Sequence, residues 1–321
     1  MKKKLILQIN VPLCVRHCAY CAQTVHKYEP ELAAAYAAAL LREIEAVSQD
    51  AQEYVVTAVS MEGGSPALLE PADLQKIVRA IRRHFNISES VQFSLQTMPG
   101  DYSRALMEKM RDNGVNFWTI GLETANFREH DLLDRPYRFD ALTMVDTAIR
   151  TFHPRDLSFD LLYGIPGQTE KSWAHTLDVA LTYEPDHLTI YPLRIIGGTR
   201  LHVDCEAGTV VPMDDAKVSA LYNQAKEKLT ALGYHAYTCF DFCLTGKENL
   251  FRLGQLNGME QLGIGYQAQT IMDGYTYYNG HSLQEYLEHA DDMTILARNV
   301  TKLEGTAKVA YDQARAAIMP K

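Results

Sequence analysis

Between residue 4 and about residue 240 the sequence alternates short apolar, β-rich runs with longer amphipathic stretches, six times in succession. No other feature restricts the fold as much. The runs at 5–11 (LILQINV), 54–61 (YVVTAVSM), 91–97 (VQFSLQT), 116–123 (NFWTIGLE), 157–164 (LSFDLLYG) and 187–195 (HLTIYPLRI) read as strands. Helix starts are signalled between them at 29–31, 70–73, 99–101, 138–140, 167–170 and 212–215, where Pro, Gly, Asp, Glu or Thr precede each periodic stretch. Strands joined by crossover helices pair in parallel. With no Gly-rich fingerprint opening the first helix, six such units imply an α/β fold of the partial (β/α)6 TIM-like barrel type, rather than a dinucleotide-binding sheet. Residues 1–240 are therefore expected to form the barrel. The alternation stops at residues 241–321, which read as a small C-terminal cap and helical tail over the barrel's open side.

Composition narrows the function classes. The 321 residues are 47% hydrophobic and 22% charged, as in an ordinary soluble globular protein, and the net charge of −9 with no long Lys/Arg run speaks against a nucleic-acid partner. The start MKKKLILQINV is basic, but its apolar part is short and reads as the first strand; with no membrane-length stretch anywhere, a cytoplasmic location without membrane contact is expected.

Three of the six cysteines lie in CVRHCAYC, at 14–21, directly after the first strand. In (β/α) barrels that is the catalytic rim. Cys14, Cys18 and Cys21 could be small core residues, or zinc ligands completed by His17 or His26, although no second ligand pair follows at zinc-finger spacing. They could also hold an iron–sulfur cluster with one iron left open. Other rim loops carry GGSP at 63–66, Gln96, Glu123, Asp160 and Arg194. Cys205, Cys239 and Cys243 read as unpaired core thiols, with Cys239 and Cys243 reserved as an auxiliary metal or redox pair.

Taken together, CVRHCAYC, EGGSP, MPG, GLET, DLLYGIPGQT and LGIGYQAQT resemble the radical S-adenosylmethionine (SAM) enzymes, within them the oxygen-independent coproporphyrinogen III oxidase-like branch, over about residues 4–290. The resemblance implies a [4Fe-4S] cluster on Cys14, Cys18 and Cys21, and SAM as second cofactor on the open iron. It places Tyr20 beside the adenine, Gly63 and Gly64 at the amino group, Arg135 at the carboxylate and Glu123 and Asp160 at the ribose, and it counts Ser65, Gln96 and Leu162 among the further cofactor-binding residues. Reductive cleavage of SAM would serve hydrogen abstraction from a small-molecule or peptide substrate, leading to decarboxylation, methylation or rearrangement. A flavodoxin- or ferredoxin-type reductant would supply the electron. Arg194, Gln96, Gln8 and Asn10 are the candidate catalytic residues, Arg194 as a guanidinium that meets an anion such as a substrate carboxylate or Glu62.

Several positions depart from the branch pattern. Gln8-Ile9-Asn10 stands where the oxidase has Tyr-x-His, Gln96 replaces a Glu, Glu123 a Gln and Glu62 a Gly, and no further cysteine occurs at Ala22 or Gln23. SAM cleavage therefore carries over better than substrate identity. The alternative is a haem-trafficking protein of the same fold, with His17, His26 or His281 as axial ligand.

Overall fold

The six expected strands all form, and they pair in chain order. The computed structural model describes residues 2–138, 140 and 156–319. Strands β1 (Lys3–Val11), β2 (Tyr54–Gly63), β3 (Ile87–Thr97), β4 (Phe117–Glu123), β5 (Asp156–Tyr163) and β6 (His187–Pro192) are parallel neighbours, with Gln8 beside Ser60, Ser60 beside Ser94 and Gly121 beside Asp160. Helices α1 (Pro30–Val47) and α2 (Pro71–His84) open on proline, whose missing N–H costs nothing in a first turn. The third, α3 (Arg104–Asp112), starts later than the signal at 99–101, because Asp101 N–H closes a turn on Met98 O and the Ser103 hydroxyl caps the helix at Leu106 N–H. Then come α4 (Phe127–Leu133), α5 (Glu170–Leu181, with a Thr169–Ser172 capping box), α6 (Arg200–Glu206) and α7 (Asp215–Ala231). The helix expected from 138–140 would run through residues outside those described.

Side-chain alternation along each strand divides the barrel into two environments. In β1, Leu7, Ile9 and Val11 join the large core with Tyr36, Leu40 and Ile44 of α1, while Ile6, Gln8 and Asn10 point the other way. The lumen floor is apolar, where Ile6 and Ala58 meet Phe251. Above it, Gln8, Ser60, Ser94, Thr119, Ser158 and Thr189 line a polar cavity of about 310 Å³.

The strands that follow residue 240 join the barrel's sheet. Strand β8 (Asp241–Cys243) runs antiparallel to β6 and pairs with β7 (His235–Ala236), whereas β9 (Glu260–Ile264) lies parallel to β1, from Leu5 opposite Glu260 to Ile9 opposite Ile264. An antiparallel meander, β10 (Gln269–Met272), β11 (Tyr275–Asn279) and β12 (Ala297–Lys302), continues outward from β9. Between the two extensions, α8 (Leu250–Leu256) closes the lumen at the end opposite the cysteine loop, and Gly254 allows it in: a Cβ there would stand 2.8 Å from Ile6 Cγ2. Among the described residues no helix is long and apolar enough to cross a membrane.

A buried carboxyl joins α1 to the meander. Glu43 is fully buried and accepts from the Tyr286 hydroxyl (2.6 Å), Gly265 N–H (2.7 Å) and Asn279 Nδ2 (2.6 Å). Burial pushes it up to about 8, against the pull of Tyr286 and Gly265. A carboxyl that holds its proton more tightly when folded favours the folded chain while protonated. That contribution is complete below the usual carboxylate range and is lost as pH rises through about 8. Thermal melts between pH 5 and 9 should show a steeper fall in Tm for the parent than for Glu43→Gln; parallel slopes would remove Glu43 from the pH dependence.

Candidate functional site

The cysteine loop is pinned at both ends and in its middle. Short parallel strands at Leu13–Cys14 and His26–Lys27 close its base, with His26 N–H on Pro12 O (2.7 Å) and Tyr28 N–H on Cys14 O (2.8 Å). Ala19 donates to Leu133 O and accepts from Leu201 N–H, both at 2.8 Å, which ties the loop to α4 and α6. Cys14 and Cys18 are buried and Cys21 is half-buried. All three face one cavity of about 660 Å³ at the C-terminal ends of the strands.

Burial pushes the Cys14 thiol up to about 12 and Cys18 to about 11, and the neighbouring cysteines add to both shifts. Such a trio stays protonated until cationic metal binds it. Among the described residues, the side chains drawn close enough to hold one ion are His235, Cys243 and Glu248. The rim cysteines are not gathered in that way, and neither His17 nor His26 completes such a group. Each thiolate of a cubane binds a different iron, so wider spacing suits a cluster and not a single zinc.

Glycine is required at 63 and 64 by the loop itself. A Cβ on Gly64 would lie 2.2 Å from Leu13 O and 2.9 Å from Cys14 Sγ; one on Gly63, at φ +112°, would lie 2.2 Å from Asn10 Oδ1. Both line the cavity. Ser65, placed by resemblance at the cofactor, has its side chain fully buried next to Asp101 instead, because Ser65 N–H turns back to Leu13 O (2.8 Å) and directs the hydroxyl away from the cavity.

Arg135 is nearly buried in the same wall. Its Nη1 donates to the Tyr20 hydroxyl (2.9 Å) and to Glu123 Oε1 (3.2 Å), its Nη2 donates to Gly121 O, and its Nε is buried without a partner. The resemblance sets Arg135 at a carboxylate and Glu123 at a ribose; the structure pairs them with each other, as buried opposite charges require. Burial raises Glu123 above the usual carboxylate range while Arg135 pulls it down. Glu123 also sits at φ +63°, a left-handed conformation uncommon outside glycine and one that recurs where function constrains a chain.

Asp160 and Gln96 divide this cavity from the polar one beneath and line both. Gln96 Nε2 donates to Asp160 Oδ2 (3.2 Å), and burial pushes the Asp160 carboxyl up to about 8, with Glu123 and Asp241 adding to it. Leu162 and Tyr20 supply apolar surface in the upper cavity. Gln8 and Asn10 face the lower one, and both are engaged: Gln8 Nε2 donates to Glu62 Oε1 (2.6 Å), its Oε1 accepts from Gln261 and Gln269, and Asn10 Nδ2 donates to Tyr266 O.

Arg194 differs from expectation. The strand ends at Pro192, three residues earlier than the apolar run suggests, so Arg194 lies in the following loop, exposed at the cavity mouth instead of buried against an anion. The lumen's guanidinium is Arg252 of α8, with Nε 3.6 Å from Asp241 Oδ2. Its stretch, NLFRLGQL, carries no motif, and only the way α8 enters the barrel exposes its role. Of the histidines considered as ligands, His17 lines the upper cavity, His26 packs on the Tyr266 ring and His281 lies in a separate surface pocket.

Several known proteins are similar to this chain. The heme chaperone HemW of Bacillus subtilis is 26% identical over 286 residues, which cover 87% of this chain and 74% of that protein. The oxygen-independent coproporphyrinogen III oxidase of Pseudomonas aeruginosa is 28% identical over 253 residues, 76% of this chain and 54% of the oxidase. The mitochondrial radical S-adenosyl methionine domain-containing protein 1 of Danio rerio is 24% identical over 259 residues, 81% and 58% respectively. The chain thus spans less than two thirds of the length of the latter two. The structure of coproporphyrinogen III oxidase (HemN) from Escherichia coli superposes with a TM-score of 0.84 at 18% identity, over 99% of this chain and 76% of that one, which establishes the partial TIM-barrel fold. Residues 11–180, more than half of the sequence, match the radical SAM superfamily, and the chain belongs to that superfamily.

Proposed function

We propose that this protein binds a [4Fe-4S] cluster through Cys14, Cys18 and Cys21 and cleaves SAM reductively to abstract a hydrogen atom from a small-molecule or peptide substrate. The observation that carries this reading is the convergence of three thiols, Gly63–Gly64, the Arg135–Glu123 pair and Asp160 on one rim cavity. Superfamily membership implies the cluster and SAM. When bound, they supply one-electron reduction of a sulfonium and a radical able to remove hydrogen.

The chain's own residues do the positioning. Cys14, Cys18 and Cys21 would hold the cluster with one iron left for SAM, and the glycine backbone at 63–64 would give the cofactor close approach. Asp160, steadied by Gln96, offers acceptors to the ribose hydroxyls. Arg135 fixes Tyr20 and Glu123 and keeps an unused Nε–H on the buried wall. Arg194, free of the strand at the mouth, suits an anionic group on an entering substrate such as a carboxylate. A flavodoxin- or ferredoxin-type partner would deliver the electron from the side of half-buried Cys21.

Haem trafficking is the second reading, favoured by the relatives named HemW and by His17 on the cavity wall. Asn10, where the oxidase pattern has histidine, is committed to Tyr266 O. Under this reading the protein binds haem with an absorbance change that His17→Ala abolishes, and it releases no 5′-deoxyadenosine.

Under the enzyme reading, anaerobic reconstitution gives about four irons per chain, and replacing Cys14, Cys18 or Cys21 with Ala ends the release of 5′-deoxyadenosine and methionine. Parent-like cleavage by Cys18→Ala would overturn it. Asp160→Ala should keep the cluster absorbance yet bind SAM roughly ten- to a hundred-fold more weakly, since losing a charged acceptor costs about 1.5–3 kcal/mol. An unchanged SAM dissociation constant would move the ribose contact elsewhere.

A further inference from the structure

A second cluster of ligand-type side chains lies at the other end of the barrel. Cys243 ends β8, opposite both His235 of β7 and His187, the first residue of β6, whereas the rim cysteines follow the last residue of β1. Glu248 reaches the same point from the loop that leads into α8. That loop is held in place: Leu244 N–H donates to Asp186 O (2.9 Å), Gln92 Nε2 to Glu248 O (3.0 Å) and Asn249 N–H to the Tyr237 hydroxyl (3.2 Å), while Lys247 pairs with Asp156 and Asp186. Cys239 is not part of the group. It sits toward the rim, where its N–H donates to Ile318 O, so the reserved Cys239–Cys243 pair separates into two places.

The geometry is that of a tetrahedron's edges. One ligand atom each from His235, Cys243 and Glu248 lies within 4.8 Å of the others; His235 Nε2 is 3.6 Å from Cys243 Sγ and 3.2 Å from Glu248 Oε1. Zinc bonds of about 2.3 Å to sulfur and about 2.0–2.1 Å to nitrogen or oxygen, at tetrahedral angles, place N and S about 3.5 Å apart and N and O about 3.3 Å apart. Cys243 is fully buried, Glu248 half-buried and His235 exposed, so the group has a protein side and a solvent side. A surface His–Glu pair needs no buried thiol beneath it. The mixed N, S and O donors exclude Mg²⁺ and Ca²⁺, which take oxygen ligands.

We propose that His235, Cys243 and Glu248 bind a single Zn²⁺, with water as the fourth ligand, and that the ion fastens the β7–β8 edge to the loop that carries Phe251 and Arg252 into the barrel. The test uses the full chain with Cys14, Cys18 and Cys21 all replaced by Ala, so that no rim thiol competes, and repeats the measurement on the parent chain after anaerobic reconstitution with iron. After equilibration with Zn²⁺ and gel filtration, each should retain about one zinc per chain, and Co²⁺ in its place should show tetrahedral d–d bands with a thiolate charge-transfer band. Cys243→Ala should remove that band. His235→Ala and Glu248→Gln should each lower zinc retention at least ten-fold, and added Zn²⁺ should raise Tm in the parent but not in His235→Ala. Because His235 is exposed, its variant decides the matter even where loss of the buried thiol impairs folding. No retained zinc, a cobalt spectrum without a thiolate band, or full retention in His235→Ala would overturn the proposal.

Discussion

The two outer edges of a six-stranded parallel sheet, β1 and β6, carry unpaired backbone N–H and C=O groups, and six strands are too few to close a filled barrel of the eight-stranded kind. How those edges are satisfied determines the rest of this molecule. Strand β9 pairs with β1 and β8 with β6, so both edges find partners while the ring stays unclosed. Gly254 lets α8 pack closely into the apolar floor, and the space above it is left for polar side chains. A closed eight-stranded barrel would fill its interior with packed apolar layers. Here the lumen holds a polar cavity that adjoins the cysteine rim through Gln96 and Asp160.

Carboxylates and guanidinium groups meet in that space. Glu62, Glu123, Asp160 and Asp241 line it with the buried or half-buried guanidinium groups of Arg135 and Arg252, and exposed Arg16 and Arg194 stand at the mouth. Arg135 answers Glu123, and Arg252 answers Asp241. Asp160 has an amide for a neighbour instead of a cation, and burial holds its proton to about 8. The arrangement suits a ligand that brings positive charge and hydroxyl donors, since either would favour the ionised carboxylate and replace the lost hydration.

The barrel was legible because each strand must present apolar residues to its helix, and that need writes itself into the chain at period two. Gln8, Asn10, Gln96 and Asp160 were equally legible as polar interruptions of apolar runs, and the lumen is where they meet. Less could be read where partners are remote. Nothing local to Arg135 announces Glu123 as its counter-ion, and nothing in NLFRLGQL announces that α8 enters a barrel. Ser65 shows the limit of a motif: its backbone follows the turn that EGGSP implies, and its hydroxyl points into protein. His235, Cys243 and Glu248 lie at no familiar ligand spacing and become neighbours only through antiparallel pairing and an anchored loop.

The pairing of β1 with β9 also bears on how the chain reaches its native state. Leu5 finds Glu260 beside it, so strands made far apart in the course of synthesis are neighbours in the finished sheet. A nascent chain emerging from the ribosome holds β1 through β6 long before β9 exists, and one side of β1 stays unsatisfied throughout that interval. Contacts of such long sequence separation slow folding and leave strand edges open to other chains. Lys2, Lys3 and Lys4, at the start of that strand, put like charges where two waiting copies would otherwise meet, a familiar protection of exposed edges.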